Sequence, residues 1–139
     1  MKSIDNIKAK ALRIGACDLV SDVEDFASLA KLFFSPQGRE FCERHNFPTM
    51  TLARRIKAKI KPYDIYVDAG EMTSTKHRIA LIGNTHAKVV AKGTEAVYMI
   101  ILMHGATVEI DASNYAVIKV INISGGEVAI HKDNTTRLL

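Results

Sequence analysis

The chain has no tryptophan, only two cysteines and three prolines among its 139 residues, and aromatic side chains make up 6% of it. Cys17 and Cys42 stand apart, without a CxxC pair or a Cys/His ligand spacing. That excludes a disulfide framework and offers no zinc site, so two buried thiols are expected. No run reaches the roughly 18 apolar residues of a membrane span; the densest, Ala96 to Met103, has the length of a strand. Met1 to Lys10 alternates charges with isoleucines and lacks the apolar centre of a secretory signal, so a chain made and kept in a cytoplasm is expected. The nucleophile elbow GxSxG, the P-loop and the GxGxxG dinucleotide fingerprint are all missing. The expectation is a chain that is not an enzyme, with no catalytic residues, no cofactor and no resident metal.

What is present is enough apolar matter for a core, 47% of the residues, and an uneven charge. Residues 1–61 hold 12 Lys/Arg against 7 Asp/Glu, a net +5, while residues 62–139 hold 7 against 8, a net −1. The basic half reads as helical. Ile4, Ile7, Ala11, Leu12 and Ile14 recur at helical spacing before Gly15. Ser21 with Glu24 has the spacing of a capping box, and Phe26, Leu29, Ala30 and Phe33 then form one face. Ser35-Pro36 has the form of a cap followed by proline at the first helical position, with Phe41 and Cys42 turned to the core. Thr49 or Thr51 caps a last helix running to Lys59, which Pro62 ends.

From Tyr63 the period changes to two, with Gly and Asn between the runs, so a helical region over 1–62 and a β region over 63–139 are expected. Ala87–Gly93 aligns above Ala106–Ala112, and that above Gly126–Lys132, at offsets of 19 and then 20 residues; Ala96–Gly105 matches Ala116–Gly125 at 20. Gly70-Glu71-Met72 has the look of an earlier, degenerate copy. A near-constant period predicts an α+β chain whose C-terminal part is a short β-solenoid with coils of 19–20 residues, Val89, Val108 and Val128 stacking in one interior column. A β-sandwich or jelly roll with similar strands is the alternative.

The strands around residue 100 are apolar on both faces and need cover on both. Val97, Met99, Ile101, Val117, Ile121 and Ile123 share one parity, and the expectation is self-association through this row, as a dimer or trimer. Among titratable residues, Glu109 and Asp111 share a strand face and resemble a glycosidase pair, but they alternate with Val108 and Ile110, so a solvated outer face is expected. His77, His86, His104 and His131 are scattered; adjacent coils could bring His86 and His104 to neighbouring corners. Cys42 has only His45 near it in sequence. Arg54, Arg55, Lys57, Lys59 and Lys61 form a basic patch suited to an acidic partner or, without interleaved aromatics, to phosphates rather than stacked bases.

Leu32-Phe33-Phe34-Ser35-Pro36-Gln37-Gly38-Arg39-Glu40-Phe41-Cys42, Asn46-Phe47-Pro48, Val67-Asp68-Ala69-Gly70 and Ile82-Gly83-Asn84-Thr85 resemble small structural-type proteins of Bacteroidetes genomes and their phages, crAss-like phages included. That resemblance implies a non-catalytic phage or prophage virion component, such as a head or tail fibre, adaptor or decoration protein, with other virion proteins as partners. It carries no functional residue across. Two other readings stay open: a carbohydrate-active or metal-dependent enzyme of β-solenoid or cupin type, and a nucleic-acid or host-surface binding module using the basic helix.

Overall fold

The computed structural model describes residues 4–5, 7–9, 24–93 and 96–139. The chain divides into two compact units, Met1–Tyr63 and Asp64–Leu139. In the first, residues 4–5 and 7–9 are helical, with Ile4 and Ile7 buried. Among the described residues three further helices follow: α1 (Phe26–Phe34), α2 (Pro36–His45) and α3 (Met50–Ile60). Each begins where a short polar side chain meets orphan amides. Asp25, rather than Ser21, caps α1: its carboxylate accepts from the Ser28 amide at 2.8 Å while Ser28 Oγ accepts from the Asp25 amide at 3.1 Å. Ser21 itself lies outside the described residues, as do Cys17 and Gly15. Ser35 Oγ accepts from the Gly38 amide at 3.1 Å with Pro36 at the first helical position, and Thr49 caps α3. A Cβ at Gly38 would stand 1.9 Å from the Leu32 carbonyl oxygen, so only glycine lets α2 begin this close to the end of α1. Among the described residues no helix is long and apolar enough to cross a membrane.

Among its described residues the second unit holds nine strands: β1 (Ile65–Val67), β2 (Gly70–Ser74), β3 (Arg78–Ile82), β4 (Thr85–Lys92), β5 (Tyr98–Met103), β6 (Thr107–Ser113), β7 (Val117–Asn122), β8 (Val128–Lys132) and β9 (Arg137–Leu138). They form two sheets, ordered β1-β3-β5-β7-β9 and β2-β4-β6-β8. All seven pairings among the described residues are parallel. This corrects the expected fold class. The chain is α/β-like, helices followed by two parallel sheets, and not an α+β chain ending in a β-solenoid of 19–20-residue coils. The antiparallel ladder of a jelly-roll sandwich is absent among the described residues as well.

The register shows why a fixed period fails. Partners are 15 residues apart between β2 and β4, 21 between β4 and β6, and 20 between β6 and β8, as in Met72–Ala87, Ala87–Val108 and Val108–Val128. Val89 therefore lies beside Ile110 and Ile110 beside Ile130, while Val108 sits beside Ala87. Of the expected column of Val89, Val108 and Val128, only the Val108–Val128 pair forms, and Ala87 takes the place expected for Val89. Small residues at the strand starts mislead the alignment: Ala106 corresponds to Thr85, which is fully buried, not to Ala87. Thr85 tolerates burial because its hydroxyl donates to the Ile82 carbonyl at 2.9 Å and accepts from the Ala69 amide at 3.1 Å. Since side chains alternate with a period of two, a slip of two residues leaves every apolar residue facing inward, and hydrophobic pattern alone does not detect it.

Between the sheets lies one core: Ile79 and Leu81 of β3, Val89 of β4, Ile100 and Leu102 of β5, Ile110 of β6 and Ile118 of β7 are essentially inaccessible. Strands β3 and β5 are buried on both faces, which is why they read as continuous apolar runs, whereas β7 and β9 of the same sheet are not. In the other sheet β4 alternates buried and accessible positions, and so does β6. That sheet keeps one face wet. Each fully buried aliphatic contributes about 1.5–3 kcal/mol relative to exposure. Ile110 touches the column centre, so Ile110→Ala should lower unfolding free energy by about 2–5 kcal/mol in chemical denaturation; a change below about 1 kcal/mol would mean that this column is not in the core.

Candidate functional site

The wet face of the β2-β4-β6-β8 sheet brings together the densest set of chemically active side chains among the described residues. Glu109 and Asp111, two residues apart on β6, point to the same side. The 20-residue offset sets His131 of β8 beside Asp111 and Ala129 beside Glu109. Ala129 is too short to fill its place, and His131 Nε2 lies 3.3 Å from Glu109 Oε1. One donor atom from each of Glu109, Asp111 and His131 lies within 4.8 Å of the other two. From β4, Lys88 Nζ approaches Asp111 Oδ2 at 3.4 Å. All four side chains are between two-fifths and two-thirds exposed, so water reaches the group freely. The carboxylates line no enclosed cleft of the kind that glycoside hydrolysis uses.

The other sequence candidates are dispersed. His86 faces Thr107 across the ladder, with Nδ1 2.7 Å from Thr107 Oγ1 and Nε2 3.0 Å from Asn84 Oδ1, so both ring nitrogens are engaged. His104 stands in the turn before Gly105, both with positive φ. His77 stacks on Tyr98 with ring centroids 4.3 Å apart. His45 is exposed and tilted over Phe41. Its neighbour in sequence, Cys42, is buried, and burial pushes the thiol up to about 12. A thiol held that far from its thiolate is no nucleophile. Arg54, Arg55, Lys57 and Lys59 of α3 and the adjoining Lys61 are all exposed.

Of the apolar row expected to self-associate, Ile101 is fully buried within the chain and offers a second copy no surface. Val97 is 43% exposed, and Met99, Val117, Ile121 and Ile123 are half-buried. The apolar surface extends beyond that row, and includes Val128, which the sequence assigned to an interior column. Strand β9 pairs only with Val117 and Ile118, so the rest of β7 has no further strand beside it among the described residues; nor has β8 beyond its pairing with β6. On this shared open edge lie half-buried Val120 and Ile130, Val128 at 36% exposed, and Leu138 at 48%. The position of His131 was likewise accessible from sequence, since the 20-residue offset already writes Asp111 above it.

The chain matches no family model, no curated protein and no solved structure.

Burial of Cys42 has a direct chemical readout. In a Cys17→Ser background, native protein should label with a thiol reagent near neutral pH only at the rate of its unfolding, whereas denatured protein labels at once. Rapid native labelling would restore Cys42 as a reactive group.

Proposed function

We propose that this chain is a non-catalytic structural protein that self-associates through its β unit, the kind of component that its sequence resemblance associates with a phage or prophage virion. The observation that carries this reading is the open edge shared by β7 and β8. Unpaired strand edges present backbone donors and acceptors in a row and template the addition of another chain. Here the edges of two sheets end side by side, flanked by Val120, Ile121, Val128 and Ile130. A single peptide strand would satisfy only one of them. A second copy of the chain offers two strands at the same spacing by construction.

At the opposite edge the apolar residues of β1, Ile65 and Val67, are already buried. Strands β1 and β2 are edge strands too, but the accessible apolar side chains gather at the β7 and β8 edge, and an edge that pairs with itself closes at two copies, so a symmetric dimer is the assembly this reading favours. Covering these side chains also removes apolar surface from water at about 25 cal/mol per Å².

Light scattering after size exclusion tests this directly. Wild type should run as a dimer at micromolar concentration, and Val128→Lys and Ile121→Asp should each yield a folded monomer, since each puts a charge in the apolar centre of the contact. Lys57→Ala, on α3, should leave the mass unchanged. A wild type that stays monomeric into the high micromolar range would overturn the proposal, as would a dimer indifferent to both edge substitutions.

A further inference from the structure

We propose that Glu109, Asp111 and His131 form a binding site for a divalent transition-metal ion, with Zn2+ the best match to the donor set. This inference is independent of self-association, because it rests on three side chains of one chain. Two carboxylates and one imidazole are a borderline set, too nitrogen-bearing for Ca2+ or Mg2+ and without the thiolates that select soft ions.

Geometry supports the assignment beyond mere clustering. Zn2+ holds oxygen and nitrogen ligands at about 2.0–2.2 Å in a tetrahedron, which places neighbouring donor atoms about 3.3–3.5 Å apart. His131 Nε2 and Glu109 Oε1 already stand 3.3 Å apart, and the mutual separations of all three donors stay within 4.8 Å. The Asp111 side chain is 42% accessible, so its carboxylate is free to turn toward the other two donors. The backbone holding these side chains is a parallel ladder, Asp111 directly beside His131, so the donors converge without any loop having to order. Ala129 supplies the room over which Glu109 leans. Three protein ligands leave a fourth position for water.

Lys88 is the built-in competitor. Its ammonium lies 3.4 Å from Asp111 Oδ2, the place that a cation would take. Metal entry displaces Lys88 from Asp111, so removing that charge should strengthen metal binding while leaving all three ligands intact. A bound ion would also fasten the edge strand β8 to β6 by side chains in addition to backbone bonds, slowing amide exchange along Val128–Lys132.

Calorimetric titration of untagged protein with Zn2+, paired with the visible absorption of the Co2+ form, provides the test. Wild type should bind one ion per chain; His131→Ala and Asp111→Asn should each weaken binding roughly tenfold or more; Lys88→Ala should bind several-fold tighter than wild type. His86→Ala, which removes a histidine of the same sheet face outside the site, should bind as wild type does. Circular dichroism of each variant keeps folding separate from binding. Absence of saturable binding up to millimolar Zn2+, or undiminished binding by folded His131→Ala, would overturn the proposal, and so would Lys88→Ala binding more weakly than wild type.

Discussion

Everything distinctive about this molecule depends on the register of its parallel strand ladders. In a parallel sheet the hydrogen bonds are evenly spaced and nearly indifferent to a slip of two residues; side chains must choose. Here Val89 lies against Ile110 and Ile110 against Ile130, a column of β-branched residues that fills the space between the two sheets. Thr85, Ala106 and the backbone of Gly126 occupy the crowded start of the next rung, where the Gly126 amide donates to the Ala106 carbonyl at 2.8 Å. A Cβ on Gly126 would come within 3.0–3.1 Å of Thr107 and the Gly105 carbonyl, so the fit there is close. Large side chains in the middle and small ones at the strand starts therefore fix the register that hydrogen bonding alone leaves loose.

From that register both functional readings follow. Setting β8 20 residues after β6 puts His131 beside Asp111, which makes three dispersed titratable residues a cluster. It also ends the two sheets on a common open edge, with Val120 and Ile121 on one side and Val128 and Ile130 on the other. Both features draw on β8, from opposite sides of it: His131 stands on the wet face, while Ile130 packs toward the core.

What the sequence made legible is local chemistry. Ser35 before Pro36 and Thr49 before an amphipathic run declare helix starts because each hydroxyl has an orphan amide within reach. Alternation of Val108, Glu109, Ile110 and Asp111 separates a dry face from a wet one because strand side chains have only two directions. What stayed hidden depends on distance in sequence. The 21-residue link between β4 and β6 is invisible to a period-two pattern, and an aligned pair of alanines, Ala87 and Ala106, suggested 19. Thr85 did not announce itself as the interior equivalent of Ala106, since a buried hydroxyl is acceptable only when its partners are known. Ile101 belonged by parity to an outward row, yet it is fully buried, and sequence parity gives direction without giving cover. The pairing of Glu109 with His131 was written in the 20-residue offset but required reading the wet face across strands instead of along one.

Nuclear Overhauser contacts between backbone protons of neighbouring strands measure the register itself. The account predicts cross-strand contacts linking Val89 with the segment centred on Ile110, and Ile110 with the segment centred on Ile130. Contacts centring Val89 on Val108 instead would contradict it, and with it the two-sheet arrangement on which the open edge and the Glu109, Asp111 and His131 cluster both depend.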